Sequence, residues 1–236
     1  MSICNQRFMT ENHFKNSEKT WDIIAKSFDN TRRTPWQDVI DFINEFSSSD
    51  VVADIGCGNG RHLVLCVEKC KTVIGLDISR NLLKITQNKL ERKKQCALFI
   101  HGNLVDIPLK NEALDVVLYI AALHNIKERK NRIQSLSEVK RILKDDGRAL
   151  VSVWSREQEK FRNCFTNTSS NDDEFGDIQI YWKQNKLNVP RFYHLYTKEE
   201  FIEDIKQSGL KIEQIIEVKI QSKKYTDNYF AIIRKE

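Results

Sequence analysis

The 236 residues carry 40% apolar and 30% charged side chains and a formal net charge of +5. That balance excludes a disordered or fibrous chain, supports one packed domain spanning 1–236, and leaves no room for two independent catalytic domains. No run approaches the roughly 18 apolar residues needed to cross a bilayer, and the polar start lacks a signal peptide's apolar centre, so a cytoplasmic or nuclear protein with no membrane partner is expected.

Residues 1–46 read as a helical lead-in. Trp21, Ile24, Ala25 and Phe28 fall at i, i+3, i+4 and i+7, an apolar stripe suited to packing on the domain. Asn30-Thr31-Arg32-Arg33-Thr34-Pro35-Trp36 interrupts the helix, and a second helix, Trp36 to Phe46, starts behind Pro35. Two arginines pinned between helices would suit an anionic group.

Val51 to Ile55 reads as a buried strand, followed by Gly56-Cys57-Gly58-Asn59-Gly60 and a helix from Arg61 to Cys70. Alternate glycines let the backbone turn sharply and bring main-chain N–H groups, with the helix start behind them, close to a ligand. A second strand, Thr72 to Leu76, ends in Asp77, near the spacing at which a carboxylate accepts from a ribose diol. The G-x-G-x-G spacing matches neither the dinucleotide pattern G-x-G-x-x-G nor the P-loop with its lysine.

Asn81 to Lys94 reads as a helix with a cationic outer face, and Cys96 to Ile100 as a third strand closed by His101-Gly102-Asn103. A fourth strand, Leu114 to Ile120, runs into Ala121-Ala122-Leu123-His124-Asn125, and a helix from Arg129 to Leu143 and a strand from Arg148 to Trp154 follow. Residues 155–195 read as an insert on the substrate side, its Asn163 to Asp177 stretch polar enough to be a mobile loop. Pro190 to Thr197 leads into a helix from Lys198 to Ser208, stopped by Gly209. Lys211 to Ile220 and Asn228 to Arg234 should pair as a C-terminal antiparallel hairpin at the sheet edge. These units predict an α/β fold, a doubly wound, seven-stranded Rossmann-like sheet with one antiparallel member. The cysteines Cys4, Cys57, Cys66, Cys70, Cys96 and Cys164 form no C-x-x-C pair, so no metal site or disulfide framework is expected.

The D-I-G-C-G-N-G loop followed by G-L-D-I-S resembles the class I S-adenosylmethionine-dependent methyltransferases. The resemblance implies S-adenosylmethionine as cofactor, contacted by Asp54, Gly56, Cys57, Gly58, Gly60, Asp77, Ile78, Asn103 and Ala121. The N-T-R-R-T-P-W, A-L-H-N and R-F-Y-H-L-Y segments and the closing D-N-Y-F-A-I-I-R-K together resemble the eukaryotic tRNA methyltransferases that esterify 5-carboxymethyluridine at the wobble position. That likeness implies a tRNA anticodon stem-loop as substrate and catalytic roles for Arg32, His124, Arg191, Tyr193 and His194. Asn125 stands where the family often has a second histidine. It also implies a heterodimer with a small zinc-binding activator subunit, which adds a strand beside Cys96 to Ile100, an edge apolar on both faces.

The chemistry agrees, because a carboxylate nucleophile is already ionised near neutral pH and needs no general base. A methyltransferase acting on a small molecule such as a quinone precursor is the alternative, but a hydroxyl substrate wants a base, and only His124 is well placed. A non-catalytic binding subunit is a third reading, opposed by the intact glycine loop and Asp77.

Overall fold

The computed structural model describes residues 3–165, 174–219 and 224–235. Helix α1 (Ile3–Thr31) is followed by α2 (Gln37–Asn44), and the linker between them carries Arg32 and Arg33. Strand β1 (Val51–Ile55), helix α3 (Leu63–Lys69), strand β2 (Thr72–Asp77), helix α4 (Arg80–Arg92) and strand β3 (Leu98–His101) form the first half. Strand β4 (Leu114–Ile120), helix α5 (Arg129–Ile142) and strand β5 (Leu143–Trp154) form the second. A two-stranded unit, β6 (Asp177–Trp182) and β7 (Val189–His194), precedes α6 (Lys198–Gln207), β8 (Leu210–Val218) and β9 (Asn228–Lys235).

The main sheet has the order β3-β2-β1-β4-β5-β9-β8. Strands β1 to β5 pair in parallel, whereas β9 runs antiparallel to both β5 and β8, giving the single reversed strand expected. The period of two decides which helices each strand meets. Ala53 and Ile55 of β1 and Val117 and Tyr119 of β4 point into a core shared with Leu136 and Val139 of α5 and Phe201 and Ile205 of α6. Their neighbours Val52, Val116 and Leu118 point the other way, against Val39 and Phe42 of α2, Cys66 of α3 and Leu90 of α4. Both faces are therefore covered, as a parallel sheet requires.

Helix α1 is fastened to the start of α4. Asp22 accepts hydrogen bonds from the Ser79 hydroxyl at 2.6 Å and the Asn81 amide at 3.0 Å, while Ser79 caps α4 by accepting from Leu82 N–H. Ile24 and Ala25 of the predicted stripe are buried, and Trp21 and Phe28 are half-buried at the mouth of the cleft.

Three expectations need correction. The third strand begins two residues later than Cys96 and is only four residues long, with Leu98 62% exposed at the sheet edge. Residues 190–194 do not simply lead into α6 but form β7, paired with β6 as a sheet separate from the main one. Of the polar stretch read as a mobile loop, 166–173 lie outside the described residues, while Gly176 is buried and Asp177 opens β6. No short-range signal marked this hairpin, because its turn, residues 183–188, lacks an Asn-Gly pair.

Candidate active site

The sheet order reverses between β1 and β4, and at such a switch point the loops after the strands diverge and leave a crevice. A cavity of about 770 Å³ opens there, lined by Asp54, Gly56, Cys57, Gly58, Asp77, Ile78, Asn103 and Ala121 among the residues expected to hold the cofactor. That volume suits a nucleoside carrying an amino acid tail.

The glycine loop is built by backbone bonds. Gly56 and Cys57 N–H groups both donate to the Leu76 carbonyl, at 2.7 and 3.0 Å, closing β1 against β2. Gly56 has φ +72°, and a Cβ there would lie 2.4 Å from that of Ala122, so only glycine lets the loop approach the turn after β4. Gly60 does not line the cavity. It also has φ +72°, and a Cβ there would fall 2.2 Å from Thr86 Cγ2, so it is glycine for packing on α4. The Thr86 hydroxyl in turn donates to the Gly58 carbonyl at 3.0 Å.

Asp77 is 6% exposed and accepts from Gly58 N–H at 2.7 Å and Ser79 N–H at 2.8 Å, so its position is fixed before any ligand arrives. Burial pushes its carboxyl up to about 6 against those two bonds. Asp54 is buried, and its Oδ2 has no hydrogen-bond partner. Burial, and then the neighbouring Asp77 charge, push it to about 7, with Arg61 and the Leu63 N–H working the other way. A nucleoside with hydroxyls for Asp77 and a cationic group for Asp54 fits this donor set. S-adenosylmethionine has both.

The substrate-side residues form an adjoining aromatic layer. Trp182 is shared by two guanidinium groups, Arg191 at 4.8 Å and Arg32 at 5.7 Å from its ring centre, and its indole N–H donates to Ser27. Arg191 also donates to the Tyr193 hydroxyl, and its Nε has no hydrogen-bond partner. Burial lowers its proton affinity, Tyr193 opposes that, and Arg32 adds to the lowering. Tyr193 lies parallel to Trp154 at 4.7 Å, and His124 packs 5.3 Å from Trp154 and 5.5 Å from Tyr193. Arg32, Arg191, Tyr193 and His124 are thus one connected group.

The protonation of His124 is dictated locally. Its Nδ1 accepts from Trp154 N–H at 3.1 Å, so in the neutral ring Nε2 carries the proton, and that Nε2 is buried without a partner. Burial first, then His194 and Arg191, hold its pKa down to about 3. It is a neutral donor, not a base.

His194 stands apart from this group. Both ring nitrogens are engaged, Nδ1 with Asp177 at 2.8 Å and Nε2 with Glu200 at 2.6 Å, and the ring is fully buried. Burial disfavours its charge, but the bonds to the two carboxylates outweigh it and raise its pKa. Its place is to pin the hairpin to α6, which differs from the substrate contact expected of it.

Sequence reasoning passed over several residues. Asn59, 1% exposed, donates from Nδ2 to Asp29 Oδ1 and to the Arg32 carbonyl, both at 2.8 Å, while its own carbonyl accepts from Lys89 at 2.8 Å. It ties the glycine loop to the backbone of Arg32. Asn125 donates to the Ala121 and Ala122 carbonyls and leaves a buried Oδ1 unpaired at the cavity wall. Arg61 and Trp182 were also missed. Arg61, a charge directly after the loop, and Asn125, in the A-L-H-N turn, gave a sequence signal.

Residues 53–151 match the family model described as Methyltransferase domain. The tRNA (carboxymethyluridine(34)-5-O)-methyltransferase of Xenopus tropicalis is 35% identical over 145 residues, covering 61% of this chain and 22% of that protein. The protein of the same name from Schizosaccharomyces pombe is 28% identical over 211 residues, covering 81% of this chain and 86% of its own. The chain spans only 20–30% of the length of the vertebrate relatives it matches. An S-adenosylmethionine-dependent methyltransferase from Methanosarcina mazei superposes with a TM-score of 0.70 at 17% identity, covering 86% of this chain and 98% of that one, and so shares the fold.

Proposed function

We propose that this class I S-adenosylmethionine-dependent methyltransferase transfers its methyl group to the carboxylate of 5-carboxymethyluridine at the wobble position of tRNA, giving the methyl ester. The observation that carries the reading is the Arg32 and Arg191 pair on Trp182: two guanidinium groups with no carboxylate partner among the described residues, beside a histidine whose Nδ1 already accepts the Trp154 N–H. The names of the relatives from Xenopus tropicalis and Schizosaccharomyces pombe point the same way.

The cofactor, when bound, supplies the electrophilic methyl. Everything else falls to the chain. Asp77 takes the ribose hydroxyls, and the glycine loop takes the methionine half. Arg32 and Arg191 attract the substrate carboxylate and orient one oxygen, while His124, fully buried against Trp154 and Tyr193, backs the aromatic layer behind them. Stacking on tryptophan spreads the arginines' contact with the anion without quenching its nucleophilicity, as a tight ion pair would. No proton has to leave the nucleophile, which suits a site whose only histidine in this layer stays neutral. A phenol substrate would need the base that His124 is not.

The edge strand β3 is the place we assign to a partner, a small zinc-binding subunit that would extend the sheet. Its support is the open edge and the 62% exposure of Leu98. Co-expression should raise the soluble yield; a lone chain that stays soluble and monomeric at high concentration counts against the partner.

The test of the function is nucleoside mass spectrometry on tRNA from cells that accumulate 5-carboxymethyluridine, after supplying the protein with that partner. The ester should appear, and it should vanish with Asp77→Ala and with Arg32→Ala. Persistence of the free acid while the complex still binds S-adenosylhomocysteine would leave the fold reading standing and remove the tRNA assignment.

A further inference from the structure

The hairpin has two faces, and one of them is spent on the layer beside the cavity. Ile178, Ile180 and Trp182 of β6 lie on the same side as Arg191 and Tyr193 of β7, against Trp154 and Phe28. Alternation and register put Gln179 and Tyr181 on the other side, opposite Phe192 and Pro190. Tyr181 is 46% exposed and joins no aromatic pair among the described residues. It lies diagonal to Phe192, a separation of about 7–8 Å. Lys127 Nζ sits 5.5 Å from the centre of the Phe192 ring, and Lys127 also lines the cavity. This face therefore starts at the cavity mouth and runs out along the strands to the turn, where Lys183 and Lys186 are exposed. None of the three lysines joins an ion pair among the described residues. The carboxylate on this side, Asp177, is at the end away from the turn and is engaged by His194 at 2.8 Å.

We infer that the outer face of the hairpin is a stacking platform for single-stranded RNA. Tyr181 and Phe192 hold the bases next to the nucleotide that enters the cavity, and Lys127, Lys183 and Lys186 hold their phosphates. This role rests on the tRNA reading and deepens it by placing the flanking nucleotides.

Exposed rings interleaved with lysines suit an unpaired strand, because every base has a face to stack on an aromatic side chain and every linkage carries a negative charge. A nucleotide that enters a cavity leaves its neighbours' stack, and a ring beside the mouth replaces what those neighbours lose. A duplex would answer the lysines but has no free base face for the rings. A protein partner fits less well, since the apolar content is two rings and Pro190 rimmed by lysine, a residue depleted at protein interfaces.

The test is fluorescence anisotropy of the full chain with a labelled RNA hairpin that has an unpaired loop, and with the same strand annealed to its complement. Tyr181→Ala should weaken the looped RNA roughly five- to a hundredfold, the scale of one lost base stack, while S-adenosylhomocysteine affinity stays within about twofold. Tyr181→Trp, which keeps a stacking surface, should bind as well as the wild type. Phe192→Leu should act in the same direction as Tyr181→Ala and keeps an apolar side chain there should the strand need one to fold. Lys183→Gln and Lys186→Gln should flatten the dependence of affinity on salt, whereas Tyr181→Ala should lower affinity at every salt concentration without changing that slope. Looped-RNA affinity unchanged in both Tyr181→Ala and Phe192→Leu would overturn the platform and leave the tRNA reading standing. An equal loss for the annealed duplex would also overturn it, since stacking on unpaired bases could not be the cause. Self-association abolished by Tyr181→Ala, with RNA binding intact, would give the face to a second copy of the chain instead. A wild type that binds no RNA removes the tRNA reading and the platform together.

Discussion

Gly60→Ala isolates what the third glycine is for. The new Cβ would sit in a left-handed backbone with φ +72°, 2.2 Å from Thr86 Cγ2 and 2.9 Å from its Oγ1. Left-handed strain costs about 1–2 kcal/mol, and forcing a side chain into a packed site about 1–3 kcal/mol. For a domain of 236 residues, a loss of about 2–5 kcal/mol lowers the melting temperature by roughly 4–20 °C. Relief requires Thr86 to swing away, which breaks its bond to the Gly58 carbonyl and loosens the loop that meets the cofactor. Thermal melts with and without S-adenosylhomocysteine read both effects. Thr86→Ala removes the clashing atoms, so the double variant should be more stable than the sum of the two single losses implies, while cofactor affinity stays reduced. Full additivity, or a Gly60→Ala protein that melts with the wild type, would refute the packing argument.

The cavity carboxylates give a pH dependence with opposite signs for the free and loaded protein. Asp54 and Asp77 titrate near 7 and 6, above the ordinary 3.8, so between those values the folded state holds protons the unfolded chain has lost. The free protein should therefore lose stability as pH rises from about 4 to 7. Affinity for S-adenosylhomocysteine should instead climb roughly tenfold or more over pH 5 to 7.5, because the ammonium and ribose hydroxyls want ionised partners; melting curves across that range that move together would contradict this. Asn59→Ala should raise the KM for the carboxylate substrate roughly tenfold with a much smaller change in cofactor affinity; equal changes in the two would make Asn59 merely a piece of the loop. His194→Gln should cost about 3 kcal/mol in denaturant titrations by breaking a buried ion pair, and amide exchange should quicken in 177–194. Because its pKa is raised, the stabilisation it gives is complete below the ordinary histidine range and fades as pH rises through the higher folded value.

The contrast between what was readable in the chain and what was not follows the distance over which each feature is determined. Asp54, the glycines and Asp77 lie within one strand-loop-helix-strand unit, where alternation, turn chemistry and spacing all act locally. The turn after β4 was legible for the same reason. The hairpin of β6 and β7 was not, since Ile178, Ile180 and Trp182 acquire a buried face only by pairing with Arg191 and Tyr193 and by packing on Ser27 and Phe28 of α1. Arg191 and Tyr193 were singled out together, yet nothing nearby in sequence revealed that Trp182 would join them to Arg32. His194 shows the reverse limit: its neighbours in sequence suggested chemistry, while Asp177 and Glu200, which arrive from other elements, give it a structural task. Asn59 is a loop residue whose importance comes from Asp29 and the Arg32 carbonyl, some thirty positions away.

Among the described residues the hairpin shares no strand pairing with the main sheet. Side chains hold it to the rest of the fold, among them Trp182 to Ser27, Phe28 and Arg32, His194 to Glu200, and Tyr193 to Trp154 and His124. On the proposed reading the hairpin's Arg191 belongs to the substrate while Asp54 and Asp77 sit on strands of the main sheet, so a chimera grafted at Trp154 and Tyr196 should change what is methylated and leave the donor the same.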